Sequence, residues 1–372
     1  MDRPFLRLII FFSAFLWLNS FLRTIVPPHV FSQGIGFKEM TIGLLVAFFG
    51  QILLFFLLNK NVSSKLAWFF GTASLLLSVV LVINVKSPSQ YYLSAFFNGL
   101  NLYLFFIFYN IAHFEATPRD KTGISSGLMF AIGPVIGIIA PLIAAFLGAI
   151  NIWFGWGISL ISLMILFVLI KLQKDFSISY SILDSIKEIA STRIFIFLEG
   201  IWEAVVFGLI PIYTLFFFKT TLEYGTFLAY LSLLSAIATL SIGRLSDRLQ
   251  KRIIFLYPVT ISLAVVTFAF MFASQNINIW IVLSGIVSLL LPIFLNISTA
   301  MVVDMSPNLR VSIPGRELVL ASGRFLGLTL VLLSFMYEQR PFFIFPVLGS
   351  AMFLYPIFLF WSSKIRKKYR YL

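Results

Sequence analysis

Read from the N terminus, the chain alternates long apolar runs with short polar interruptions. Twelve runs have the length of roughly 20 mostly apolar residues that a helix needs to cross a bilayer. They cover 5–26, 40–58, 66–85, 91–114, 122–148, 152–172, 194–218, 222–242, 253–273, 277–303, 312–336 and 341–362. An even number of spans puts both termini on the same side. The opening stretch, PFLRLIIFFSAFLWLNSFLRTIVPP, has a long apolar core and no small-residue cleavage pattern, so it predicts a retained first helix rather than a signal peptide.

The longest polar connection, KLQKDFSISYSILDSIKEIASTR, falls at the middle of the chain and is Ser-rich and partly amphipathic. It predicts two six-helix bundles, 1–172 and 194–372, joined by a linker over 173–193. The bundles carry traces of a repeat. EATPRDKTG follows the fourth span and DMSPNLR the tenth, each with an acid three residues before a proline (Glu115 and Pro118; Asp304 and Pro307). Further on stand GPVIG, with Gly133, Pro134 and Gly137, and GRFLG, with Gly323 and Gly327. Glycines four apart at matched depth predict close backbone packing in the fifth and eleventh spans.

Composition sharpens this picture. With 60% hydrophobic residues, 11% charged residues and 44 Phe, a soluble protein would expose too much apolar surface, so lipid is the solvent for most of the chain. The net charge of +13 then has a topogenic meaning and does not call for a nucleic-acid partner. Counted by alternate sides, 21 Lys and Arg fall on the side of the termini and five on the other, namely Arg23, Lys38, Lys86, Lys219 and Arg340. Only Arg324 lies deep inside a span. The asymmetry predicts cytoplasmic termini and a multi-pass protein of the cell membrane. The chain has no Cys, which removes disulfides and thiolate metal sites.

The stretch GRLSDRLQKR, between the eighth and ninth spans, resembles the short loop motif of the major facilitator superfamily in Gly243, Leu245, Ser246, Asp247, Arg248, Lys251 and Arg252. Its counterpart between the second and third spans, LLNKNVSSKLAWFFG, has Asn59 or a neighbour where the family places an Asp. The resemblance implies an all-α membrane fold of 12 helices in two pseudo-symmetric bundles, and secondary transport of a small molecule by alternating access. It also implies a cytoplasmic latch. Asp247 would sit at the positive end of a helix of the other half, starting near Thr122, while Arg248 or Lys251 pairs with Asp304. His113 and Glu115 end the fourth span near the cytoplasm; the pair supplies too few ligands for a metal site and is read as part of the gate or as a headgroup contact, with Glu115 assigned to the gate. GLMFAIGPVIGIIAPLI partly resembles the family's antiporter pattern, with Ile138 in place of its second paired Gly, which points to efflux. The fourth span lacks the buried Arg of many proton-coupled members, so coupling through that group is not expected.

Ionisable groups inside a membrane are costly and usually functional. Glu199 and Glu203 stand one turn apart on one face of the seventh span. At about 1.5 Å per residue, Glu203 and Arg324 reach a common depth near mid-bilayer. Two neighbouring carboxylates in low dielectric cannot both ionise cheaply. Glu203 is therefore expected to carry a proton, with Glu199 as partner or relay and Arg324 as counter-ion or contact for an anionic substrate; the competing reading is a permanent ion pair that fixes packing. Arg316 and Glu317 are assigned to the cytoplasmic network. Asn98, Asn101, Tyr109, Trp202 and Asn296 are candidate cavity-lining groups.

Three function classes follow. A proton-coupled transporter acting as a monomer leads, as an efflux antiporter or as an importer of a small organic solute. A transport-inactive scaffold or sensor is the alternative. An enzyme is disfavoured because the chain has no P-loop, no GxSxG, no HExxH and only two His. No cofactor or metal is expected.

Overall fold

The computed structural model describes residues 3–116, 122–246, 252–306, 308–338 and 340–369. Among them are 12 helices long and apolar enough to cross a membrane, in the order the hydropathy predicts. The first six spans are α1 (Arg3–Ser32), α2 (Phe37–Leu57), α3 (Ser64–Ile83), α4 (Pro88–Ala116), α5 (Thr122–Ile150) and α6 (Ile152–Lys171). A short helix α7 (Ile182–Glu188) follows in the linker. The seventh span is broken: α8 (Arg193–Ala204) passes through a π-helical stretch, Val205–Leu209, into α9 (Ile210–Thr214). The rest are α10 (Thr221–Ser246), α11 (Leu256–Ala269), α12 (Ile277–Met305), α13 (Leu309–Tyr337), α14 (Ile344–Trp361) and a short terminal α15 (Ser363–Tyr369).

Helix starts follow local chemistry. Asn276 accepts from the Asn278 and Ile279 N–H groups at 3.0 and 3.2 Å, Asn151 from Trp153 and Asn308 from Arg310, each satisfying donors that the first turn leaves open. The first helix runs past the expected stop, through Pro27 and Pro28 to Ser32. Tertiary contacts explain the extension: Val30 is fully buried, and His29 bonds the last carbonyls of α3. The π stretch also has a sequence cause. Pro211 has no N–H to offer the carbonyl of Phe207, and the Ile210 N–H bonds Val205 five residues back.

The chain forms two compact units. The first comprises residues 1–179 and 211–233, the second residues 180–210 and 234–372. Chain order alone assigns 211–233 to the second bundle. In the first unit, close packing against α5 explains their place: a Cβ built at Gly225 would lie 2.6 Å from Ala145 Cβ and 2.9 Å from the Pro141 carbonyl, and one at Gly148 2.7 Å from Thr221. Gly137 faces Ser232 in the same way, at 3.0 Å. Gly133, expected to be a packing glycine too, has only Leu16 Cδ1 near its Cβ direction, at 3.9 Å.

The linker is not a free tether. Its first part forms strand β2 (Ser177–Ile178), which pairs antiparallel with β1 (Val62–Ser63) in the turn before α3, in the register Val62 with Ile178 and Ser63 with Ser177. Asp175 accepts from Ser63 Oγ at 2.8 Å, Ser64 Oγ at 3.0 Å and the Lys65 N–H at 3.2 Å, so its charge sits at the positive end of α3. The second part, α7, packs on α13 in the second unit. Gly315 lies against the Ser185 backbone, and Glu188 accepts the Asn308 N–H at 3.0 Å.

In the second unit α8 and α13 cross with backbones almost in contact. A Cβ at Gly200 would lie 2.5 Å from the Leu320 carbonyl, one at Gly323 2.5 Å from the Phe197 carbonyl, and the two Cα positions face each other. Gly327 continues the seam against Ile201 and Ala204. The order of contacts along both helices makes them parallel.

Two outcomes test this architecture by thermal unfolding of the purified chain. Gly200→Ala or Gly323→Ala is expected to destabilise by about 1–3 kcal/mol through overpacking, while Gly133→Ala is neutral or stabilising by up to about 1 kcal/mol. Equal effects at all three would show that the crossing does not set the packing. Burial pushes the Asp175 carboxyl up, but bonds from Ser63, the Lys65 N–H, Ser64 and the Phe176 N–H outweigh it and hold the group below its ordinary value. Its contribution is therefore complete above the unfolded value of about 4 and disappears as pH falls through the lower folded value. Asp175→Asn should cost about 1 kcal/mol at neutral pH and nothing in strong acid.

Candidate functional site

Every atom of this site belongs to the second unit. Glu199 and Glu203 flank Gly200 on α8, and Arg324 adjoins Gly323 on α13, so the glycine crossing presses their backbones together. Glu203 Oε2 accepts from Arg324 Nε at 2.6 Å. The pair predicted from depth is formed, although α13 begins at Leu309, three residues before the expected start. The glycine crossing sets the register: with Gly200 opposite Gly323, Arg324 and Glu203 stand within about 3 Å of each other along the parallel helices. Arg324 also lies over the Phe207 ring at 5.1 Å, within the π stretch that follows Glu203.

The bonds of Arg316 change its assignment. With Gly200 opposite Gly323, Arg316 lies about 9 Å nearer the start of its helix than the level of Glu199, a distance its long side chain spans. Its Nη2 bonds Glu199 Oε1 at 3.1 Å, and its Nη1 bonds Glu317 Oε1 at 2.8 Å. Arg316 and Glu317 therefore belong to the intramembrane network and not to a surface cluster. Thr299 Oγ1 accepts weakly from Arg316 Nη2 at 3.4 Å. Glu199 is fully buried, and its second oxygen accepts from Ser298 Oγ, which in turn accepts from the Tyr355 hydroxyl at 3.4 Å. Sequence reasoning misses Ser298 and Tyr355; a depth count along α12 and α14 is the signal that could have found them.

Among the described residues, three carboxylates thus meet two guanidiniums. Glu203 bonds Arg324, whereas Arg316 bonds both Glu199 and Glu317. Arg316 and Arg324 are only 13% and 16% exposed, so water screens this imbalance poorly. Arg316 Nε has no hydrogen-bond partner among the described residues.

The remaining candidates separate. Trp202 is fully buried and donates from Nε1 to Thr267 Oγ1 at 2.9 Å, so it ties α8 to α11. Asn101 is turned to α3, donating to the Gly71 carbonyl at 3.0 Å. Tyr109 is stacked on Phe12 with ring centroids 4.1 Å apart. All three are buried and pack between helices. Asn98 and Asn296 are half-buried. Glu115 and Asp304 are exposed, and Lys368 Nζ bonds the backbone carbonyl of Asp304. Gly243 lies in α10, Arg252 opens a short 3-10 turn before α11, and Pro134 lies within α5. Asp247, Arg248 and Lys251, the centre of the expected latch, lie outside the described residues.

No protein-family model matches the chain, and no curated protein matches it in sequence. Solved structures match it in fold. The nucleoside transporter NupG is similar at 16% identity and a TM-score of 0.66, over 98% of this chain and 100% of that one. A POT family transporter in complex with a thioalcohol-conjugated peptide is similar at 13% identity and a TM-score of 0.72, over 98% and 96%. The human organic anion transporter MFSD10 is similar at 11% identity and a TM-score of 0.61, over 95% and 97%. At such identities the likeness is one of fold, and these relatives share one: the chain is a multi-pass membrane protein with the 12-helix major facilitator fold.

Proposed function

We propose that the protein is a proton-coupled secondary transporter that moves a small organic solute by alternating access between two six-helix halves, 1–172 and 194–372, with cytoplasmic termini in the cell membrane. The observation that carries the reading is the buried network of three carboxylates on two guanidiniums. A purely structural ion pair balances its charges, because an uncompensated buried charge is costly. A network one positive charge short is instead suited to gaining and losing a proton. On this reading the carrier is not Glu203, which bonds Arg324, but Glu199, whose partner Arg316 also serves Glu317. Protonation there would free Arg316 from double duty, and Ser298 with Tyr355 offers a hydroxyl path to Glu199. Glu203 and Arg324 then act as the fixed member that holds α8 and α13 together. The latch around Asp247 would close the cytoplasmic side in the same cycle.

The fold relatives named above carry nucleosides, peptides or organic anions, which sets the first solutes to screen by thermal stabilisation. With a solute that binds, Glu199→Gln in proteoliposomes should keep exchange at zero gradient and lose at least about tenfold of the accumulation driven by a pH gradient. A Glu199→Gln protein that still concentrates solute would remove Glu199 from coupling, and absence of flux for every solute class would favour the scaffold reading. Stability separates the fixed pair from the carrier. Arg324→Met strands Glu203 and should cost about 3–5 kcal/mol, while Glu203→Gln combined with Arg324→Met recovers most of it.

A further inference from the structure

The first unit holds a cleft of about 510 Å³, lined by both polar and apolar groups, at the end of α1 away from the N terminus and within the size range of small-ligand sites. Its walls come from the end of α1, the turn between α3 and α4, the first turn of α6 and the segment that opens α10, and include His29, Lys86, Trp153, Trp156, Lys219 and Thr221. Lys86 and Lys219 are two of only five basic residues that the sequence places on that side of the membrane. No Asp or Glu lines the cleft. The nearby Glu223 is engaged in a capping box, accepting from the Thr220 N–H at 3.2 Å and its hydroxyl at 2.9 Å.

Carbonyl groups that would repel an anion are also occupied. The last carbonyls of α3 point toward this end, and four of them meet side-chain donors. Gln90 Nε2 donates to Leu81 and Asn84 at 2.9 and 3.1 Å, and His29 Nε2 lies 3.2 Å from both Val82 and Ile83. Because carbonyls only accept, Nε2 carries the ring proton, and the edge contact with Trp156 at 5.3 Å sets the ring plane. These carbonyls are thus occupied, while Lys86 and Lys219 are both exposed residues of the cleft lining. Trp153 adds an apolar wall and is 60% exposed beside Phe154, as expected at the edge of a bilayer.

We infer that this cleft binds a phosphate-type oxyanion, held by Lys86 and Lys219, with Trp153 against the apolar part of the ligand. A phospholipid headgroup and a free phosphate share that chemistry. The site is independent of the proton network and of the transport reading.

The test uses the purified full chain. Unfolding midpoints are measured in nanodiscs of phosphatidylglycerol against phosphatidylcholine, and in detergent with inorganic phosphate against chloride at equal ionic strength. The wild type, the double variant Lys86→Gln/Lys219→Gln, and Lys38→Gln as a basic control outside the cleft are compared. A stabilisation whose apparent affinity falls at least about tenfold in the double variant and stays unchanged in the control supports the site. Confinement of the effect to phosphatidylglycerol assigns the lipid headgroup; its appearance with phosphate assigns a soluble anion. No stabilisation by either ligand, or one that the double variant retains in full, overturns the proposal.

Discussion

The second unit depends on the distance between two helix backbones. Where Gly200 meets Gly323, a methyl group on either side would collide with a carbonyl oxygen of the other helix. Only at that separation do side chains one residue away along each helix find their partners, and the partners are charged. In lipid the requirement is severe, because a carboxylate or guanidinium that misses its partner has no water to return to. Packing and electrostatics are therefore one constraint here. The small residues do not add stability beside the ion pairs; they set the geometry that makes the ion pairs tolerable.

A similar economy governs the polar segments. The turn before α3 has Asn59 where the resembled motif has an acid, yet a carboxylate still reaches the start of α3. It comes from Asp175 in the linker, over 100 residues away, carried there by the pairing of two two-residue strands. The rest of the linker turns to α13 and helps cap it through Glu188. A connection that looks like a spacer in composition thus supports two helix starts, one in each unit.

The spans are legible in the sequence because a run of about 20 apolar residues between alternating basic loops fits a helix in lipid and little else. Depth is legible as well, since it needs only a residue count, and it brings Glu203 to Arg324. Two things are harder to read. The register between two helices is set by where their glycines meet, and with Gly200 opposite Gly323 it is the reach of the Arg316 side chain, not a residue count, that brings it to Glu199. Azimuth is set by neighbours distant in sequence. Trp202, Asn101 and Tyr109 have polar atoms at plausible cavity depth, but Thr267, Gly71 and Phe12 decide where those side chains point. Strands of two residues, such as β1 and β2, have no periodicity to detect.

Neither compact unit is an unbroken stretch of chain, and this bears on the order of events at the ribosome. The first unit is closed only when residues 211–233 join it, and these emerge after the linker and after the charged α8. Glu199 and Glu203 must therefore enter the bilayer before Arg316 and Arg324 exist to neutralise them. For more than 100 residues of synthesis those carboxylates travel without their final counter-ions, so biogenesis has to shelter or protonate them in transit.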